Sequence, residues 1–157
     1  MDVVVLRPMQ KEGQHPKLGE ACTKLGIREK DVVLDKDGFV TDTNGLSVAT
    51  RFRGILRLPS FLHPFIPHLL PATLRSSKVK TSLFRFGEDD SSNFKLAEGI
   101  SEELKVMPKP QLETGYIAPS KKMRFDEFHS AIQRTKSEWH FLSWDMAKDA
   151  INELSDY

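Results

Sequence analysis

Residues 94–123 read FKLAEGISEELKVMPKPQLETGYIAPSKKM. Two short runs inside this stretch, LKVM at 104–107 and GYIAP at 115–119, are extended segments set between Gly, Pro and acidic residues, the pattern of strands bounded by turns. From Ser120 the pattern becomes helical, with Met123, Phe125, Phe128 and Ile132 at helical spacing. Strands running straight into a helix predict an α+β fold.

Working outward, Val3–Leu6 is a short β-branched run that predicts a buried strand closing at Arg7-Pro8. Segment 31–56, DVVLDKDGFVTDTNGLSVATRFRGIL, holds two turns. Asp35-Lys36-Asp37-Gly38 between Val32–Leu34 and Phe39–Val40 predicts a hairpin, because Asp-Gly tolerates positive φ. Thr43-Asn44-Gly45 predicts a second turn that feeds Ser47 into a strand over Leu46–Thr50. Leu18, Ala21, Cys22 and Leu25, with Pro16 early and Gly26 just past the end, predict a short amphipathic helix over 16–25. Lys78–Phe86 alternates as a strand does, and an acidic solvated loop follows at 87–93. Residues 59–74, PSFLHPFIPHLLPATL, carry four prolines among apolar residues. Repeated loss of backbone donors excludes a long helix or interior strand there and predicts a folded-back loop covering the core. A last helix is expected from Ser137, its N-cap, through Trp139, Leu142, Met146, Ala150 and Leu154. No repeat or linker interrupts the chain, so residues 1–157 are expected to form one domain.

Composition narrows the partners. With 23 basic and 22 acidic residues the net charge is +1, without the clustered positive excess that nucleic acid or an anionic membrane demands. Hydrophobic residues at 39% and no apolar run near the ~18 needed to span a bilayer point away from a membrane protein. The single cysteine, Cys22, forms no internal disulfide and fits a reducing compartment. The opening MDVVVLRPMQ has no basic n-region, so a signal peptide is not expected.

The candidate chemistry is sparse. Arg7 at a strand end suits a bidentate clamp on phosphate or carboxylate, or a surface ion pair; the residues leave both open. Ser47 suits a ligand hydrogen bond or local backbone satisfaction, and no G-x-S-x-G elbow surrounds it. Glu113 suits orientation of an attacking group, or a solvated strand-edge charge. Tyr116 suits stacking on a planar ligand, or a half-buried core place. His15, His63, His68, His129 and His140 lack metal-ligand spacing, so a metal is not expected. No GxGxxG or P-loop is present.

Three segments in order carry a resemblance: VVVLR ending in Arg7; DVV at 31–33, DGF at 37–39, DTNGLSV at 42–48 and GIL at 54–56; then LAEGISEELKV at 96–106, GYIAP at 115–119 and Lys122-Met123 before a helix. Together they resemble the cytotoxins exported by type VI secretion whose fold is related to ADP-ribosyltransferases. The likeness spans roughly two-thirds of the chain. Two positions depart from the family: Gly115 stands where members carry His before the Tyr, and Leu46 where the prototype has Thr before its Ser. The resemblance implies two small, mostly antiparallel sheets flanked by helices, with a cleft that accepts NAD as substrate. It implies Arg7, Ser47 and Glu113 as catalytic residues, and Arg7, Asn44, Gly45, Ser47 and Tyr116 as contacts to NAD. It further implies an intracellular toxin that acts in the cytoplasm as an NAD-dependent ADP-ribosyltransferase or NAD glycohydrolase, and any secretion would follow a route independent of a signal peptide. Its partners would be an unidentified macromolecular acceptor and a neutralising immunity protein. The alternative is a degenerate member of the fold, inactive as an enzyme, that docks a protein partner through 59–74.

Overall fold

The computed structural model describes residues 5–20, 23–50, 54, 58, 81–86, 100–109, 111 and 113–141. The fold is α+β, built mostly from antiparallel strands with one α-helix among the described residues. Its strands are β1 (Leu6–Met9), β2 (Lys11–Glu12), β3 (His15–Pro16), β4 (Phe39–Val40) and β5 (Leu46–Ala49). They continue with β6 (Ser82–Phe86), β7 (Leu104–Lys109), β8 (Thr114–Pro119), β9 (Met123–Arg124) and β10 (Trp139–Phe141), with α1 (Phe125–Gln133) between the last two. A six-stranded sheet runs β10-β6-β1-β5-β8-β7, and two-stranded ribbons pair β2 with β3 and β4 with β9.

Strand alternation decides which side chains form the core. Val5, Met9, Leu46, Val48, Phe84, Phe86, Leu104, Val106, Ile117 and Trp139 belong to one buried cluster. The pairs Leu46↔Ile117, Val106↔Ile117 and Trp139↔Phe86 place them on one face of the sheet. Helix α1 lies against that cluster with Phe128, Ala131 and Ile132 buried. The indole of Trp139 meets Phe86 edge-on at 5.4 Å, and its Nε1 donates to Thr135 Oγ1 at 3.0 Å. That bond satisfies the one polar atom of a fully buried ring.

The turn expected at Asp35–Gly38 forms, although 32–34 is not a strand. Asp35 Oδ1 accepts from the backbone N–H of Asp37 and of Phe39, both at 2.9 Å, and Gly38 adopts φ +84°. Leu34 and Val40 form an antiparallel bridge, although β4 takes its strand partner from β9. The Phe39 N–H, opposed by desolvation and seconded by the Asp37 N–H, holds the Asp35 carboxyl below its ordinary 3.8. A depressed folded value means the carboxylate's contribution is full above the unfolded value and is lost as pH falls. Asp35→Ala is therefore expected to lower the melting temperature at pH 7, and the gap from wild type should narrow on acidification below pH 3.8; a gap constant with pH would contradict this.

Four further expectations are corrected. The segment 16–25 is not helical where described: Leu18 and Leu25 form a bridge, Lys17 N–H donates to Gln10 and Leu25 N–H to Lys17. Those donors are bonded across the chain rather than four residues back, and Leu18 lies exposed. Helix α1 starts at Phe125, because Met123–Arg124 is used as strand β9. Nor does a helix start at Ser137: Lys136–Glu138 is a 3-10 turn and Trp139–Phe141 a strand. Trp139 and Phe141 pack by a period of two, not four, beside Phe86 and Phe84. The first strand, finally, does not close at Arg7 but runs through Arg7 and Pro8 to Met9.

The expectations for Val3–Val4, for Cys22, for the run around 51–57 apart from Gly54, for the proline-rich 59–74, for 78–80, for the acidic 87–93, for 96–99 and for 142–157 lie outside the described residues. Among the described residues no helix is long and apolar enough to cross a membrane.

Candidate functional site

The three segments singled out in the sequence become adjacent strands, β1, β5 and β8, in the middle of the large sheet. Their side chains do not converge on one face. Arg7 pairs with Phe84 across β1–β6 and so shares the core face. It is 2% exposed, and its Nη1 donates to the backbone carbonyl of Ser47. The reason is legible in the register: Leu6 pairs with Ala49, which sets Pro8 opposite Ser47. Proline has no N–H to offer that carbonyl, and the guanidinium takes its place.

Ser47 itself is exposed and points to the other face, since its neighbours Leu46 and Val48 are buried in the core. Directly across β8 stands Tyr116, its register partner. The phenol hydroxyl donates to the Asp42 carbonyl at 2.8 Å, which fixes the ring over the turn that enters β5. Asn44 closes that turn by accepting the Gly45 N–H at its Oδ1, 2.9 Å away. Gly45 is buried, and a Cβ there would overlap the carbonyl oxygen of Ile117. Its bare Cα is what lets the turn pass against β8.

Glu113 sits just before β8 with φ +57°, the positive value that favours glycine. Its carbonyl accepts the Thr50 N–H at 3.0 Å. Along the strand it lies three residues from Tyr116, roughly 10 Å at an extended rise. The structure thus brings Ser47, Tyr116, Asn44 and Gly45 together, sets Glu113 at the end of the same strand, and keeps the Arg7 side chain on the opposite face. The guanidinium and the hydroxyl do not share a crevice.

The departure at Gly115 also has a structural basis. Gly115 faces the core between Val48 and Pro108, and a Cβ would lie 2.7 Å from the Met107 carbonyl oxygen and 3.1 Å from Pro108 Cα. An imidazole at 115 would crowd the core side of the sheet, away from Tyr116.

Three residues of this surface were missed in the sequence. Lys105, Met107 and Lys109 share a strand face with Tyr116, through the pairs Lys105↔Ala118, Met107↔Tyr116 and Lys109↔Thr114. Lys105 Nζ binds Asp42 Oδ2 at 2.9 Å. That hydrogen bond, then the lysine's charge, holds the Asp42 carboxyl below its ordinary range. Lys109 Nζ lies over the Tyr116 ring, 5.4 Å from its centroid. The period of two in LKVMPK carried the signal, since residues 105, 107 and 109 must share one side of any strand.

Among the described residues no group of His, Cys, Asp and Glu is arranged to hold a metal ion. A cavity of about 420 Å³ lies elsewhere, lined by Glu103, Met123, Asp126, Glu127, Ser130 and Arg134, and it contains none of the candidate residues. Comparison with protein-family models, with curated proteins and with solved structures found no match.

Proposed function

We propose that the chain is an ADP-ribosyltransferase-like toxin domain that uses NAD as substrate, with its nucleotide site on the Ser47–Tyr116 face of β5 and β8. The observation that carries this is topological. Segments separated by about forty and seventy residues in the chain meet as neighbouring strands, with Ser47 and Tyr116 as a direct cross-strand pair. The backbone of Glu113 adds support, because a non-glycine residue at positive φ stores strain of the kind found at functional sites.

In this reading the exposed Ser47 hydroxyl hydrogen-bonds the nicotinamide ribose and the Tyr116 ring packs against a planar group. The carboxylate of Glu113 stabilises positive charge as the nicotinamide–ribose bond breaks through an oxocarbenium-like transition state. Nicotinamide leaves with the bonding electron pair as the neutral base. A nucleophile on the acceptor, or water, then forms the new bond to the ribose carbon and loses its proton. Arg7 touches none of the reacting atoms; it holds β5 through the Ser47 carbonyl.

The test is mass spectrometry for free nicotinamide and ADP-ribosylated macromolecules after incubation with NAD. Ser47→Ala and Glu113→Gln are expected to reduce nicotinamide release by about 100-fold or more. For Ser47→Ala, whose side chain is exposed, folding stability should stay within about 0.5 kcal/mol. Absence of nicotinamide release from wild type would overturn the enzymatic reading.

One observation favours the other reading, a non-catalytic member of the fold that binds a protein. The guanidinium that a phosphate clamp would need is buried and engaged by a backbone carbonyl. That reading expects neither turnover nor a thermal shift with NAD.

A further inference from the structure

With Arg7 turned to the core, a dinucleotide on the Ser47 face needs its phosphate charge met by another cation. Anions on a protein surface are held by charge-assisted hydrogen bonds from Arg, Lys or backbone N–H groups. Among the described residues, the strand register puts two lysines on the face that carries the Ser47 hydroxyl and the Tyr116 ring: Lys105 and Lys109. They are not equivalent. Lys105 is engaged by the Asp42 carboxylate at 2.9 Å, so its charge is met within the chain. Lys109 instead has its ammonium poised over the Tyr116 ring, a contact that leaves its three N–H donors for an acceptor.

Tyr116 is itself immobilised at both ends. Its backbone is in the centre of the β5-β8-β7 ladder, and its hydroxyl is bonded to the Asp42 carbonyl. A rigid aromatic ring beside a lysine ammonium is the combination that accepts a base or sugar on the ring and a phosphate on the cation. Ser47, on the far side of the ring from β7, adds a hydroxyl donor.

We propose that Lys109 is the phosphate partner of this face, and that with Tyr116 and Ser47 it forms a subsite for the diphosphate of an adenine nucleotide. This rests on the reading of that face as a nucleotide site, and it assigns to Lys109 the phosphate contact that the resemblance implies for Arg7. Lys109 is here a binding residue; bond cleavage does not involve it.

The experiment is isothermal titration of the full chain with ADP, so that it does not depend on turnover. Wild type should bind ADP, and Lys109→Ala should weaken that binding about tenfold, the scale of one charge-assisted hydrogen bond. Lys109→Arg should restore most of the affinity, because it keeps the charge. Tyr116→Ala should also weaken it, while Lys30→Ala, an exposed lysine in the 3-10 turn at Glu29–Asp31, should leave it unchanged. Failure of wild type to bind ADP would overturn the subsite, as would equal losses in Lys109→Ala and Lys30→Ala, which would mean diffuse surface charge. Binding of ADP with the expected Lys109 dependence, but with no nicotinamide released from NAD, would uphold the subsite and remove the enzymatic function. Nicotinamide release unaffected by Lys109→Ala in KM would do the reverse.

Discussion

Arg7→Ala is expected to unfold or severely destabilise the chain, by roughly 3–5 kcal/mol, before any question of activity arises. The side chain is 2% exposed among core residues, so truncation leaves a cavity. It also removes the guanidinium donor from the Ser47 carbonyl, at the position where Pro8 has no N–H to replace it. Arg7→Met separates the two losses: the unbranched stem keeps much of the packing, and the missing hydrogen bond should cost about 1–3 kcal/mol. Thermal or urea denaturation reads both. A phosphate clamp standing free in a cleft would behave in the opposite way, with stability within about 0.5 kcal/mol of wild type and only ligand affinity lost. That outcome would show that the buried position of Arg7 is not its working state.

Gly45→Ala should be nearly as damaging, at about 3 kcal/mol or more, since overpacking against fixed backbone admits little relaxation. The added Cβ would overlap the Ile117 carbonyl, which belongs to a strand paired on both sides by β5 and β7. Relief would require β5 and β8 to part at Leu46↔Ile117, beside the Ser47↔Tyr116 pair. The variant should therefore lose Tm, and with it the nucleotide binding proposed for that face. Ser47→Ala, on an exposed position, should separate them. If Gly45→Ala kept its Tm while losing only ligand affinity, close backbone approach would not be the reason for glycine here, and a direct ligand contact would be.

The strands of the region 104–119 were legible because short runs rich in apolar residues, broken by Pro and Gly, have few other folded solutions. The Asp35–Gly38 turn was legible for a similarly local reason, since Asp-Gly admits the positive φ that Gly38 takes. Trp139 was misread. Apolar residues at 139, 142 and 146 satisfy a helical period, but the indole is used from a strand that pairs with Phe86. Local spacing carries no record of the sheet edge that captures it. The segment 16–25 failed in the same way, through bonds to Gln10 that no short window contains.

The candidate site divides along similar lines. That Ser47 follows a glycine turn into a strand, and that Tyr116 lies in another, could be read from residues within a few positions of each. That Arg7 faces inward could not: its side follows from pairing with Phe84, a residue far along the chain.

Local sequence alone was enough for the turns at 35–38 and 43–45, the strands within 39–49, 82–86 and 104–119, and a helix following them, because these depend on neighbours within about one turn or one hairpin. Only the tertiary structure decided which strands are adjacent and which face each side chain takes. A strand offers two faces related by a single-residue shift, and the choice between them is made by burial against distant partners. For Arg7 that choice put a residue expected as a clamp or a surface ion pair in the core, as a buried donor to the Ser47 carbonyl.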